Sequence, residues 1–274
     1  MKRIFASLTI LLAGTFAASA ADLPARVYTK APAPVVEVYN WTGFYIGGNI
    51  GYSWGRSDDY STFTNGAGAV LFANSDRRNL DGVVGGGQIG YNWQVTNWVW
   101  GFEADIQGTD EKGSRLFTCP TGACTPPFGV VAVFPGPAVS VSPMDQKLEW
   151  FGTVRARAGI LASPRVLLYA TGGLAYGEVR TAETIGAGLF GFSNSETRAG
   201  WTVGAGIEGA ISGNWTAKLE YLYIDLGRTT GAFTTTIGAL GGGVLTSNYS
   251  SHITDNVLRA GVNYRFGGPV VAKY

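Results

Sequence analysis

The stretch from Leu258 to Phe266, LRAGVNYRF, decides the fold, because its residues alternate strictly between two kinds. One face would carry Leu258, Ala260, Val262, Tyr264 and Phe266, and the other Arg259, Gly261, Asn263 and Arg265. A period of two residues is that of a β-strand. The stretch therefore predicts a strand with one apolar face and one face that carries full charges.

The same alternation recurs in seven earlier segments of the chain. The predicted strands span residues 44–54, 83–95, 98–107, 147–160, 165–177, 201–211, 215–223 and 258–266. Each is about ten residues long or longer, which is the length that a tilted strand needs to cross a bilayer. No segment after the first 20 residues approaches the roughly 20 uninterrupted apolar residues of a transmembrane helix.

The lengths of the connections alternate as well. Long connections are predicted at 55–81, 108–146, 178–199 and 227–255, and short ones at 94–97, 162–164 and 212–214. Short periplasmic turns that alternate with long external loops are typical of outer-membrane barrels. We therefore predict an all-β protein, an eight-stranded antiparallel up-and-down transmembrane β-barrel with both termini in the periplasm.

A soluble lipocalin-type barrel also alternates, but with its apolar face turned inward. Three features favour the membrane barrel: charged and glycine-rich polar faces, an aromatic end to the last strand, and tryptophans at strand ends, where they would form interfacial girdles. These tryptophans are Trp54, Trp93, Trp98, Trp150, Trp201 and Trp215.

The ends of the chain divide it into four parts. Residues 1–20 read as a secretory signal peptide, with Lys2 and Arg3 before an apolar run and Ala18-Ser19-Ala20 at the cleavage site. Residues 21–42 are proline-rich and predict a periplasmic linker, 43–266 the barrel, and 267–274 a C-terminal extension. The whole chain has 41 glycines, 13% aromatic residues, 14% charged residues and a net charge of +1. This composition disfavours disorder and gives no basic field for nucleic acid.

Several motifs resemble those of the Omp25/Omp31-type outer-membrane proteins of alphaproteobacteria. They are Ala21-Asp22-Leu23-Pro24, 41–49 (WTGFYIGGN), 150–157 (WFGTVRAR), 168–173 (LYATGG) and 256–266 (NVLRAGVNYRF). The resemblance implies an OmpA-like membrane barrel in the outer membrane of a Gram-negative cell, in contact with lipid and lipopolysaccharide. It implies a role in envelope integrity, limited porin-like permeation and, in some members, binding of haemin or a host-surface ligand.

The last strand also resembles the signal that the barrel-assembly machinery reads, with Arg259, Gly261, Tyr264 and Phe266. Members of the family typically stop at that phenylalanine, whereas this chain continues to Tyr274. We expect Phe266 to be the terminal aromatic of the signal, because Gly267-Gly268 break the strand and Pro269 cannot donate to a ladder.

The predicted inward faces carry nearly equal numbers of acids and bases. A charge buried alone costs several kcal/mol, so this balance favours mutual pairing. An eight-stranded barrel is just wide enough for side chains to fill, which predicts a salt-bridged plug; a narrow pore lined by the same residues is the alternative. The predicted interior set is Glu103, Asp105, Lys147, Glu149, Arg155, Arg157, Glu208, Lys218, Glu220, Arg259 and Arg265.

The residues that could carry chemistry are few. The single histidine, His252, has Ser250, Ser251 and Asp255 near it in sequence, but a lone histidine beside a loop is more often solvated than catalytic, so we expect no enzyme and no cofactor. Haemin capture by His252 with Tyr249 is a further hypothesis, but a single histidine is weak evidence for it. Cys119 and Cys124 predict a disulfide that closes a small loop, since a metal site there lacks further ligands.

Overall fold

The computed structural model describes residues 39–118, 141–185, 190–237 and 243–267. Eight antiparallel strands form a closed barrel in chain order, and β1 pairs with β8 to close it. The strands are β1 (Gly43–Asn65), β2 (Val70–Val95), β3 (Trp98–Thr118), β4 (Val141–Ser163), β5 (Val166–Ile185), β6 (Phe190–Ser212), β7 (Trp215–Ile237) and β8 (Gly243–Arg265). The described residues include no helix long and apolar enough to cross a membrane. The predicted fold class is confirmed.

The two ends of the barrel differ in their connections. At one end, which we call the turn end, two residues join β2 to β3, β4 to β5, and β6 to β7. Gly213 has a φ of 51° in the last of these turns, a conformation that glycine adopts without strain. The opposite end, the loop end, carries the connections between β1 and β2, β3 and β4, β5 and β6, and β7 and β8.

The strands are about twice as long as the sequence predicted, at 20 to 26 residues. Most of the connections expected at 55–81, 178–199 and 227–255 are strand, and only residues 66–69 join β1 to β2. These extensions lack a strongly apolar face, so their hydrophobic pattern does not mark them. Their pairing continues without interruption from the lower part of the barrel, as between Tyr52–Val83 and Phe63–Phe72.

The outward face of the turn-end half is apolar and exposed. Ile50 and Leu174 expose 65% and 67% of their surface, as expected for side chains that face lipid. Aromatic pairs such as Trp98–Trp100 and Trp215–Tyr264 lie at the turn end, and Trp54–Tyr221 and Trp201–Tyr223 lie nearer the loop end. We call the zone between them the lipid belt.

Three β-bulges interrupt the register near the loop-end border of this belt. They lie between Gly108 and Glu111, between Leu148 and Trp150, and between Asp225 and Arg228. A bulge that adds one residue to a strand exchanges its inward and outward faces beyond it, as in β4 and β7, whereas in β3 the odd positions stay inward from Glu103 to Glu111. This exchange decides which charged residues of β4 reach the interior.

Candidate functional site: the filled barrel interior

A network of buried charges fills the barrel at the level of the lipid belt, with Glu103 of β3 at its centre. Lys218 Nζ lies 2.8 Å and 2.9 Å from the two carboxylate oxygens of Glu103. Arg155 Nη2 approaches one of these oxygens to 2.5 Å, and the Tyr45 hydroxyl donates to the other at 2.7 Å. One carboxylate thus binds two cations and a phenol from three other strands.

Two arginines extend the network around the lumen. Arg155 also contacts Asp105 at 2.8 Å and Glu220 at 3.0 Å. Arg259 of β8 donates from Nε to Glu220 at 2.8 Å and from Nη2 to Asp105 at 2.8 Å. Each arginine therefore joins acids of two strands, which couples β3, β4, β7 and β8 across the barrel axis.

Arg157 forms the turn-end side of the network. Its guanidinium lies 4.0 Å from the centroid of the Tyr169 ring and donates to Glu208 at 2.7 Å. The other Glu208 oxygen accepts from Thr216 at 2.6 Å and from Asn263 at 2.9 Å. The charge network thus comprises four acids and four bases among the described residues: Glu103, Asp105, Glu208, Glu220, Arg155, Arg157, Lys218 and Arg259.

Three residues of the predicted interior set lie outside the charge network, and two of these lie outside the interior altogether. Arg265 is buried but lies beside Tyr39 at the turn end. The prediction that Lys147 and Glu149 face the interior is wrong. The bulge between Leu148 and Trp150 turns Lys147 outward, opposite Arg180, and Glu149 lies 3.6 Å from Arg180 on the partly exposed surface. Strict alternation counted back from Arg155 could not register the extra residue.

The turn end is closed by residues that precede β1. Trp41 exposes only 1% of its surface, and Tyr39 packs edge-on against it with ring centroids 5.0 Å apart. The Trp41 amide donates to Gln94 Oε1 at 2.9 Å, and Arg265 Nη1 donates to the carbonyl of Thr42 at 3.1 Å. We call this group the turn-end cap; its buried members are Tyr39, Trp41, Val99, Leu167 and Tyr169.

The cap shifts a boundary that the sequence analysis drew. Residues 39–42 were expected to belong to the linker, but they pack into the barrel mouth. The visible sign was the aromatic character of Tyr39 and Trp41, which an exposed linker does not need. Residues 1–38 and 268–274, which include the predicted signal peptide and most of both terminal segments, lie outside the described residues.

An apolar layer lies between the charge network and the loop end, and the sequence analysis missed it. Phe151, Leu222 and Val257 have no exposed surface. Their inward positions follow from the register, because they continue the faces that carry Arg155, Glu220 and Arg259. The members of this layer are Leu80, Val84, Leu148, Phe151, Ala175, Val179, Leu222, Ile224, Leu226, Ile253 and Val257.

Two buried acids lie beside this layer without a basic partner. Ser53 donates to Asp255 at 2.5 Å, and its hydroxyl also lies beside Glu111. Neither acid forms an ion pair within the described residues, unlike the four acids of the charge network. Both lie beyond the lipid belt. Asp110 and Lys112, the neighbours of Glu111, form an exposed ion pair at 2.7 Å on the outward face, and Asp255 pairs with Gly55, the residue after Trp54.

Burial dominates the titration of these two acids. It raises the pKa of Glu111 to about 8, and the nearby charge of Asp255 adds to this rise. Burial also raises the pKa of Asp255 to about 7, against the opposing hydrogen bonds from Ser53 and the Asn256 amide. The pair is therefore held as neutral or singly charged acid over much of the range below neutral pH.

The residues around His252 do not converge on one site. His252 Nε2 lies 3.0 Å from Asp225 Oδ1 on the outward side of β8, whereas Ser251 and Asp255 are buried inside. Tyr249 also lies on the face opposite to His252, since they are an odd number of residues apart in one strand. No group of three potential metal-ligating side chains occurs in the described part of the chain. Cys119 and Cys124 lie outside that part.

Comparison with known proteins agrees with this architecture. Residues 8–266 match the family described as outer membrane protein beta-barrel domain. The chain belongs to this family. It is 37% identical to the 31 kDa outer-membrane immunogenic protein of Brucella melitensis over 267 residues, which cover 96% of this chain and 98% of that protein. The resemblance to Omp31-type proteins and the placement in the outer membrane are thereby confirmed.

Two more distant similarities were found. The 22 kDa outer membrane protein of Rhizobium leguminosarum bv. viciae is 33% identical over 194 residues, or 70% of this chain and 68% of that protein. Among solved structures, OprG from Pseudomonas aeruginosa aligns with a TM-score of 0.47 and 13% identity, over 82% of this chain and 98% of that chain.

Proposed function

We propose that the protein is a closed structural barrel that supports the outer membrane, and that its lumen does not conduct. The observation that carries this proposal is the filling of the lumen by three successive layers: the turn-end cap, the charge network and the apolar layer. Opposite charges that pair within 3.0 Å compensate each other's charge and offer little to a passing ion. The apolar layer, to which β2, β4, β5, β7 and β8 contribute, adds a further barrier to water and ions.

Conductance of the refolded protein in a planar bilayer tests the closed lumen. We expect no discrete steps above the lipid baseline. Stepwise conductance that falls when Arg155 or Glu103 is neutralised would instead establish a pore through the charge network. The supporting role is tested by deletion of the gene, which should increase sensitivity of the cells to detergent, and by its rescue with the full chain.

The proposed orientation places the turn end in the periplasm and the loop end at the cell surface. Short turns and a capped end near the N-terminus support it. Two glycines provide matched sites for an inserted epitope, because a side chain at Gly68 or Gly213 would meet no atom within 4 Å. Antibody should label intact cells with the epitope at Gly68, at the loop end, but not at Gly213; the reverse pattern would invert the barrel.

Phe266 is proposed as the terminal aromatic for the assembly machinery. Its amide donates to the Phe44 carbonyl at 2.7 Å, and its ring lies 5.7 Å from that of Phe44 and 5.2 Å from that of Tyr264. Gly267 then adopts a φ of 127°, which ends the extended backbone. Truncation after Phe266 should leave assembly intact, whereas Phe266→Ala in the full chain should lower the amount of folded barrel in membranes.

Catalysis and haemin capture form no part of this proposal. His252 hydrogen-bonds Asp225. Ser251 and Tyr249 lie on the opposite face of β8, and Ser250 accepts a hydrogen bond from Arg228. Titration with haemin tests this point directly. A Soret shift that disappears in His252→Ala would restore the binding hypothesis.

A further inference from the structure

Beyond the lipid belt, β1, β7 and β8 continue as one paired sheet towards the loop end. On β1, the last strand residue, Asn65, lies 11 positions after Trp54. At a rise of about 3.3 Å per residue this is roughly 35 Å of strand, far more than a headgroup region needs. The outward face of this extension therefore stands beside whatever projects from the same membrane leaflet.

The outer part of this face, from Tyr60, Ser250 and Thr230 towards the loop end, is uncharged and rich in hydroxyl groups. Three cross-strand rows run over β7, β8 and β1 in register. From the belt outwards, the rows are Thr230–Ser250–Tyr60, Ala232–Asn248–Thr62 and Thr234–Thr246–Thr64. We call these nine residues the hydroxyl face; six of them are Thr or Ser and none is charged.

The hydroxyl face contains a groove of about 460 Å³, bordered by Tyr60, Thr62, Thr230, Ala232, Asn248 and Ser250 and by the backbone region of Gly231 and Tyr249. The groove is shallow and widely open to solvent, so it offers a surface to lie along and does not enclose a ligand. Tyr60 exposes 49% of its surface at one wall, so an aromatic ring stands beside hydroxyl and amide groups. Those groups both donate and accept hydrogen bonds.

A row of charges separates the hydroxyl face from the lipid belt. Arg228 lies opposite His252, His252 opposite Asp58, and Asp58 opposite Arg77, with 2.6 Å between Arg77 Nε and Asp58 Oδ1. From the membrane outwards, the outer surface of the barrel thus has three zones: the apolar lipid belt, the row of charges, and the uncharged hydroxyl face. Lipopolysaccharide has the same order, with acyl chains, phosphorylated sugars and then a longer saccharide.

We propose that the hydroxyl face binds the saccharide portion of lipopolysaccharide in the surrounding leaflet. The ring of Tyr60 stacks on the C–H face of a sugar, while Thr62, Thr230, Asn248 and Ser250 exchange hydrogen bonds with its hydroxyls. An uncharged groove selects neutral sugars, because an anionic one would lose its hydration without gaining a counter-charge there. The proposal rests on the orientation given above, with the loop end at the cell surface.

The test uses the full mature protein refolded in detergent micelles and the lipid-free saccharide released from lipopolysaccharide by mild acid. Titration followed by NMR should give saturable shifts confined to the hydroxyl face. Tyr60→Ala should weaken the affinity by at least about threefold, in line with the loss of one stacked ring. Tyr91→Ala is the matched control, because Tyr91 is an outward tyrosine of similar exposure, 48%, within the lipid belt, and should leave the affinity unchanged.

Each other result overturns the proposal in a recognisable way. Equal affinity for a dextran fragment of the same mass would remove lipopolysaccharide as the specific source. An equal response of the two tyrosine variants, or no saturation, would remove the site. Concentration-dependent self-association that Tyr60→Ala abolishes would make the face an interface between copies. Because the protein is in micelles, these results do not depend on orientation, which the epitope experiment tests separately.

Discussion

At the scale of single residues, the interior shows that the partner of a buried charge matters more than the charge itself. Glu103 lies within hydrogen-bonding distance of two cations, Lys218 and Arg155, and of the Tyr45 hydroxyl, so its charge is compensated. Glu111 and Asp255 face each other across Ser53 without a cation. We therefore expect opposite effects on stability when the charge of each acid is removed: loss of the charge of Glu103 should destabilise the barrel, and loss of the charge of Glu111 should stabilise it.

Removal of the central acid of the charge network should be strongly destabilising. Glu103→Gln leaves Lys218 and Arg155 buried with too little negative charge, and we expect a loss of about 3–5 kcal/mol in the free energy of unfolding. Urea unfolding in lipid vesicles measures it. Asp110→Asn is the matched control, since it breaks an ion pair of similar length that is exposed, and it should change little. Equal losses of stability in the two variants would show that burial does not determine how much an ion pair stabilises the barrel.

The acid pair predicts a pH dependence of defined sign. Since the folded-state pKa values of Glu111 and Asp255 are raised, to about 8 and about 7, the folded barrel binds more protons than the unfolded chain between pH 4 and 8. Their contribution is thus fully present below the unfolded values near 4 and is lost as pH rises through 7–8. Glu111→Gln should be more stable than the wild type at pH 8.5 by about 2–4 kcal/mol, and much less so at pH 4.

Unfolding midpoints at several pH values measure this difference. Glu178→Gln serves as a control, because Glu178 is a partly exposed acid whose pKa is lowered by hydrogen bonds from Ser195 and Trp150, so its removal cannot stabilise the barrel at high pH. A difference between Glu111→Gln and the wild type that stays constant from pH 4 to 8.5 would contradict the assignment.

At the scale of elements, the sequence predicted the membrane-crossing half of each strand and missed the rest. Between Phe44 and Trp54 the hydrophobic period is strong because lipid faces one side and packed charges the other. Beyond Trp54 both faces are polar, so only hydrogen bonding to β2 and β8 keeps β1 extended, and hydrogen bonding leaves no mark on composition. The bulges escaped for a related reason: an inserted residue such as Glu149 looks like ordinary alternation until its neighbours are paired.

The interior site was predictable to the same extent. Arg155, Glu103 and Glu220 stood out because charges opposite an apolar face need partners. The apolar layer did not stand out, because Phe151 and Leu222 lie on strands whose other face is also apolar, and a segment that is apolar on both sides gives no period. Trp41 was hidden by its place in a proline-rich segment that the pattern of strands does not reach.

The segment that precedes β1 should behave as a structural element of the barrel. Trp41→Ala removes a side chain that is 1% exposed and should cost about 3–5 kcal/mol in the free energy of unfolding, as large-to-small changes in a core do. Trp41→Phe keeps most of the packing and should cost clearly less. Urea unfolding measures both, and a Trp41→Ala barrel as stable as the wild type would mean that residues 39–42 only lie against the mouth.

At the scale of the whole molecule, the three layers close the lumen in series, and barriers in series have a specific consequence. An ion must cross the turn-end cap, the charge network and the apolar layer, so the removal of one layer leaves two intact.

Trp41→Ala and Phe151→Ala should each stay non-conducting in planar bilayers, although each lowers stability. The combination of both with Arg155→Ala, which opens the network as well, should give discrete conductance steps if the variant folds. Folding is verified by migration in SDS before and after boiling, since a folded membrane barrel migrates differently from its denatured chain. Conductance from Trp41→Ala alone would show that the cap is the sole gate and that the inner layers are permeable to ions. The proposed closed lumen would then depend on the turn-end cap alone.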